Sequence, residues 1–486
     1  MALADRSSDD PRMAHVGGFD ALEQEFSYTI PNSAVRGRIP ASVRGTFLRI
    51  GPGRNRIGDD TFGHWFDGDG MVHALTFTDD GAWYRNRYVR TPKYLKETAA
   101  GKIVCRSFGH NAPGGLLKNI GRPPANAANT SVASHGGRLL ALWEGGRPWA
   151  LDPQTLETLG ECNFDGALGL ADPFSAHGHT HPHNGHYYNH GVTMGPRGPR
   201  INLYDINPAG QLTRKKHFNI DHLAFVHGSG LSERHLVLLV HPLGMASVWP
   251  FVLGRKAFDE AVEYRPEWGM RAYFISLETL TVERVFELEP FVLFHYGNCR
   301  EEGDELVVDL IRFEDFAVAG QLRDVFGSSA AEGGRPWQYR FNLRTGAVRQ
   351  APLPSLTGCE FPQFDLRYSG RESRFLYTAA ITGNGTAGST PGFFNAIQRL
   401  DTRSGKVVLH DLGPGRFTSE AMFVPEGDGE GDGYLCAVVY DAATHRSEVV
   451  LLDARSDTLG EVAAVPLRNH VPFGFHCGYT DGACLG

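Results

Sequence analysis

The chain has little that could cross-link it. Its seven cysteines stand at 105, 162, 299, 359, 436, 477 and 484, an odd number with no Cys-x-x-Cys pair. That argues against a disulfide framework and makes a reducing cytoplasm the expected compartment. No apolar run reaches ~18 residues, so no helical membrane span is expected. The first twenty residues have no apolar core and carry acids early, so they do not read as a secretory signal. Positive charge is not in excess either. A net charge of −8 gives no reason to expect nucleic acid as a partner.

What is plentiful points to strands and turns. The 486 residues include 59 glycines, 28 prolines, 30 phenylalanines and 16 tyrosines. That mix favours many short strands over long helices. Residues 1–20 read as a disordered lead and 21–486 as a single all-β domain. One device recurs along it: an apolar strand, a turn containing Asp, Asn or Ser, and a second strand. It occurs at 76–86, 150–160, 203–215, 275–285, 341–350, 399–410 and 451–462. Seven copies spaced by about 50 to 75 residues suggest a radial repeat of small antiparallel sheets, a seven-bladed β-propeller. The competing arrangement is an assortment of hairpins in a multi-domain β protein. The uneven spacing predicts long insertions that leave the blades on one face. One of them, HPLGMASVWPFVLGRKAFDEAV (241–262), puts Trp249, Pro250, Phe251, Val252 and Leu253 beside Arg255 and Lys256. Such a segment suits either a lipid interface, through 241–258, or an ordinary buried helix start.

The densest chemistry lies at 171–191, ADPFSAHGHTHPHNGHYYNHG. It holds His177, His179, His181, His183, His186 and His190. The first four alternate and would share one side of an extended strand. Most suit a solvated loop, but imidazole is also the commonest protein ligand for zinc, copper and iron. Elsewhere His227, His295 and His476 each follow an apolar or aromatic residue, and so are expected to face inward. Buried histidines from different blades need a common partner, and blades converge on the propeller axis. Glu144, Glu360 and Glu420 stand in similarly apolar surroundings. A carboxylate that accepts the second N–H of a metal-bound imidazole would account for them.

These segments resemble the carotenoid cleavage oxygenases, a family that includes the retinal-pigment-epithelium isomerase and lignostilbene dioxygenases. The resemblance spans nearly the whole chain. It is carried by GTFLRIGPG (45–53), HWFDGDGMVHALTF (64–77), ANTS (128–131), LWEGGRPW (142–149), FSAH (174–177), FVHGSGLS (225–232), FHYGNCREEGDELVVD (294–309), EFPQFD (360–365), SEAMFVP (419–425) and VPFGFHCG (471–478). It implies a seven-bladed propeller with a loop and helix dome over an axial non-haem Fe(II). By motif the iron ligands are His177, His227, His295 and His476, with Glu144, Glu360 and Glu420 behind three of them. Thr130 matches a position beside the open coordination site. The first motif departs from the family pattern, with Ala176-His177-Gly178 in place of Ala-His-Pro, and a register two residues on would select His179. His64, His73 and His110 read as dome or structural residues.

The implied reaction adds O2 across a C=C bond of an apolar polyene and gives two carbonyl products. Phenolic-stilbene cleavers of the family tend to carry a lysine just before the first glutamate. Here Trp143 stands there and extends an apolar wall, which favours a carotenoid or apocarotenoid. Stilbene cleavage is the alternative within the family, with isomerase chemistry less favoured. A non-catalytic propeller scaffold is the alternative outside it. The expected location is the cytoplasm, with a possible peripheral membrane contact.

Overall fold

The computed structural model describes residues 13–323, 325, 332–383 and 393–482. Seven antiparallel sheets, each of four or more strands, follow one another along the chain. They are the blades of a propeller. Each of the seven turn devices read from the sequence is an outer hairpin of one blade. They run from Asp69–Thr78 with Gly81–Tyr88 in the first blade to Arg446–Asp453 with Glu461–Pro466 in the seventh.

The turn residues explain why the hairpins form. Asp152, Asn342 and Asp401 each accept hydrogen bonds through Oδ1 from the backbone N–H groups two and three residues on. Such side chains mimic a turn of backbone. The loop then closes through a left-handed residue, whose N–H returns to the carbonyl of the first. That residue is glycine at 346 and 405, but Leu156 at φ 62° and Leu280 at φ 54° elsewhere. Both leucines are fully buried in the cores between blades. Their core contacts offset the strain of a left-handed leucine.

Two distant pairings close the ring. Cys477–Thr480 is the innermost strand of the first blade and pairs with Gly45–Arg54. Arg36–Gly37 is the outermost strand of the seventh and pairs with Glu461–Pro466. These pairings tie the two ends of the chain into the first and last blades and so hold the ring of blades shut. The apolar core is divided among the interfaces of neighbouring blades; one cluster joins Phe47 and Leu75 of the first to Leu451 and Val465 of the seventh.

The dome is built from insertions carrying Pro92–Ala100, Leu116–Asn119, Trp249–Val252, Phe258–Ala261 and Val318–Arg323. Arg106 ties two of them together. Its guanidinium donates to the carbonyls of Asn119 and Arg122 on one side and of Phe251 and Lys256 on the other. Arg323 joins a third insertion through a bidentate bridge to Asp259, at 2.7 and 2.9 Å.

Three expectations need correction. The lead does not extend to residue 20: Val16–Phe19 forms a 3-10 turn, and Phe19 is buried against Trp65, Phe393 and Phe473. Aromatic packing there outweighs the polar composition of the segment; residues 1–12 lie outside the described ones. The 241–258 segment is not uniformly surface. Leu243–Met245 pairs with Leu223–Ala224 and is buried, so only the later part reaches solvent. His177 to His183 do not share one face, because only His179–Thr180 is strand. His181 turns in to the Glu233 carbonyl at 2.9 Å, while His183 is exposed beside Arg371.

Candidate metal centre and cavity

The entrances to the innermost strands converge on the axis, and each blade brings one residue there. Thr130 precedes Ser131–His135, His177 precedes His179–Thr180, and His227 precedes Gly230–Leu231. His295 sits in Val292–Glu302, where the ladder is irregular. Glu360 lies in Cys359–Gln363, Glu420 precedes Ala421–Pro425, and His476 precedes Cys477–Thr480. Glu144 comes from further along the second blade, just past Arg138–Leu142.

The four histidines bring one ring nitrogen each within 4.8 Å of the others. Nε2 of His295 lies 3.1 Å from Nε2 of His227 and 3.2 Å from Nε2 of His476. The His177 ring stands 4.3 Å from that of His227 and 4.5 Å from that of His476. Behind them are the three glutamates. Glu360 Oε2 is 2.6 Å from His295 Nδ1 and Glu420 Oε1 is 3.1 Å from His476 Nδ1. Glu144 Oε1 abuts His227 Nδ1 and lies 3.9 Å from His177 Nε2, which makes no hydrogen bond.

Proton accounting tests this donor set against a metal. A carboxylate accepts, so Nδ1 of His295 and of His476 carries the proton, and the close approach of Glu144 favours the same tautomer for His227. Their Nε2 atoms are then bare lone pairs, yet they face one another at hydrogen-bond distance. Lone pairs so opposed repel unless a proton or a metal ion lies between them. Four imidazoles with carboxylates behind three suit a divalent transition metal. Burial, reinforced by the other histidines, holds His177 well below the usual histidine range. Burial also lowers His476, although Glu420 opposes it. For His295, burial disfavours the proton, but Glu360 and then the other two carboxylates outweigh it and the net direction is upward.

The cluster opens on a cavity of about 630 Å³, the size of a small-molecule site. His227, His295, His476, Thr130, Trp143 and Glu144 are on its wall. Part of its wall is aromatic, with Trp65, Phe66, Phe361, Phe393, Phe394 and Phe475. Val192, Phe225, Met194 and Leu170 also line it, and the last two are exposed. Gly145 lets the Trp143 indole lie flat against the backbone, since a Cβ there would come within 2.5 Å of its ring.

The family model described as retinal pigment epithelial membrane protein matches residues 19–481. The chain belongs to this family. Apocarotenoid-15,15'-oxygenase of Synechocystis is 32% identical over 473 residues, covering 94% of each chain. A carotenoid 9,10(9',10')-cleavage dioxygenase of Crocus sativus is 29% identical, over 93% of this chain and 86% of its own. A carotenoid cleavage oxygenase of Mycobacterium tuberculosis is also 29% identical, over 92% of this chain and 94% of its own. The structure of cobalt-substituted Synechocystis apocarotenoid oxygenase superposes with a TM-score of 0.86 at 29% identity, covering 96% of this chain and 98% of that one. The protein is an oxygenase of this family with its propeller fold.

Within this oxygenase the register at the first motif brings His177, not His179, into the cluster. His179 instead approaches the Ser229 carbonyl through Nε2 at 2.8 Å. His73 bonds the Tyr84 hydroxyl inside the first blade, and His110 bonds Asp67 in the dome beside His64. Gln363 was not singled out from the sequence. Its amide donates to Glu420 Oε1 at 2.7 Å and helps fix the carboxylate behind His476. The one signal was its place in EFPQ, on the same strand as Glu360.

Proposed function

We propose that the protein cleaves a C=C bond of a carotenoid or apocarotenoid with O2, as an iron-dependent dioxygenase that yields two carbonyl products. The observation that carries this reading is the set of imidazole nitrogens that face one another at the wall of an apolar cavity rich in aromatic side chains. His177, His227, His295 and His476 would hold Fe(II), and Glu144, Glu360 and Glu420 would orient three of them. Bound iron would supply the electronic means for ground-state O2 to react with an alkene. The chain supplies the rest. The aromatic part of the wall orders a conjugated chain and excludes water. Thr130, on the cavity wall with its hydroxyl turned to Asn129 Oδ1 at 3.2 Å, shapes the space beside the metal. Trp143 offers stacking area and no acceptor for a phenol.

The substrate reading extends to the mouth. Leu117 is 87% exposed, Leu170 89% and Trp249 65%. The segments of Leu117 and Trp249 are fastened side by side, with Gly121 N–H bonded to the Val252 carbonyl at 2.8 Å. We assign them a peripheral contact with the cytoplasmic face of a membrane, where an apolar substrate is dissolved. No described helix is long and apolar enough to cross one.

The test is aerobic incubation of the iron-loaded protein with carotenoids, apocarotenals and 4-hydroxystilbenes, with products read by mass. Apocarotenals or carotenoids should give aldehyde pairs faster than the stilbenes. Cleavage of resveratrol with no product from any carotenoid or apocarotenal would make the protein a stilbene cleaver. Iron-free purified protein that takes up no iron would favour a scaffold.

A further inference from the structure

The 241–258 segment begins with a histidine that the lipid-facing reading does not use. His241 is 1% exposed. Its Nε2 lies 2.6 Å from the Phe225 carbonyl, two residues before His227. A carbonyl only accepts, so Nε2 carries the proton and Nδ1 is left as an acceptor. The Leu293 N–H, two residues before His295, donates to that Nδ1 at 3.4 Å. One imidazole therefore bridges the backbone segments of two metal-site histidines on adjacent blades. Around it, two other histidines also meet carbonyls near His227. His179 Nε2 reaches Ser229 O at 2.8 Å, and His190 Nε2 reaches Val226 O at 3.5 Å. Carbonyls on both sides of His227 are thus held by imidazole N–H groups from the third and fourth blades.

We propose that His241 is a positioning residue of this oxygenase, setting the separation of the His227 and His295 segments so that their Nε2 atoms face each other before a metal arrives. His179 and, through a longer bond, His190 second it. The inference rests on the reading of His227 and His295 as metal ligands. Its physical basis is the irregular backbone at both places. Residues 225–229 lie between the short strands Leu223–Ala224 and Gly230–Leu231, and the ladder slips between Leu293 and Tyr296. Leu293 still pairs with Arg312 and the Phe225 N–H with the Leu243 carbonyl, but regular pairing stops beyond each, so side-chain bonds help to fix the backbone that carries His227 and His295. Burial keeps His241 neutral, with its pKa lowered to about 4, and so preserves both roles of the ring across the neutral range.

Cobalt(II) is the probe, since its visible absorption reports ligand geometry and chelator competition reports affinity. His241→Leu should bind cobalt ~10- to 100-fold more weakly than wild type and show an altered spectrum. His241→Gln, whose amide can both donate and accept, should recover most of the affinity. His241→Asn, one methylene too short to reach the Phe225 carbonyl, should not. Exposed His183→Ala should match wild type. If His241→Leu fails to fold, the Gln and Asn pair decides. Wild-type affinity and spectrum in His241→Leu, or equal behaviour of Gln and Asn, would overturn the role given to His241. Failure of the wild type to bind cobalt would instead overturn the ligand reading itself. Normal binding without cleavage of any polyene would overturn only the substrate.

Discussion

The axis and the dome of this molecule are built by opposite means. Every blade sends one residue to the axis from the same place, the inner strand. The result is a polar centre in which the ring nitrogens of four histidines lie within 4.8 Å of each other. The dome comes from insertions of unequal length that have no common register. It is apolar toward the cavity and held by a few ties, chiefly the buried Arg106 and the half-exposed Arg323–Asp259 bridge. The difference teaches where each property of the oxygenase can change. A repeat fixes geometry, because moving one inner strand disturbs two neighbours. An insertion can vary without disturbing the ring, so the dome is where differences between relatives are most easily accommodated.

Substitutions at the two regions sharpen this contrast. The largest effect is expected at the axis. His295→Ala removes one of four ring nitrogens and should lose most of the iron and all measurable cleavage; full iron content in metal analysis would break the assignment. Next is Glu360→Gln, which keeps the shape but not the charge behind His295. Iron affinity or turnover should fall by ~10- to 100-fold with little change in melting temperature. An activity equal to wild type would mean that the carboxylate does not tune the site. At the boundary of the two regions, Trp143→Lys should keep the iron and move preference from apocarotenals toward 4-hydroxystilbenes. An unpaired buried phenol costs about 1–3 kcal/mol, so the ratio of kcat/KM values should shift by roughly tenfold. No shift in that ratio would remove Trp143 from the selectivity account. The smallest effect belongs to the outer dome. Leu117→Ser with Trp249→Ser should weaken sedimentation with phospholipid vesicles a few-fold, and iron content should not change. Unaltered sedimentation would dissociate this patch from the membrane.

The same contrast explains what the sequence made legible. The outer hairpins repeat a local code, a polar turn residue followed by a left-handed one, and each of the seven could be read within a dozen residues. Five of the axial residues were also marked locally, as a lone His or Glu in apolar surroundings, whereas His177 stood in a run of histidines and was selected through the family motif. The seventh, Thr130, was reached through the family motif alone. What could not be read depends on distant partners. Nothing near Arg36 announces that it pairs with Ala464, and nothing near Phe19 announces Phe473. His241 was absorbed into a segment read by its bulk apolar character. A histidine that bonds backbone carbonyls leaves no side-chain pattern to find. The alternation of His177, His179, His181 and His183 misled for a related reason: period two has meaning only where the chain is actually strand.

The strand Cys477–Thr480, which closes the first blade, has a consequence in time as well as space. It follows directly on His476, so the act that shuts the ring also delivers the last imidazole. On a ribosome, His177, His227 and His295 emerge long before it. A nascent chain therefore offers an open, three-cornered site at most, and acquires its fourth corner only when the first and last blades are joined. On the proposed reading of these histidines, the order of synthesis alone leaves the half-made protein without a complete ligand set.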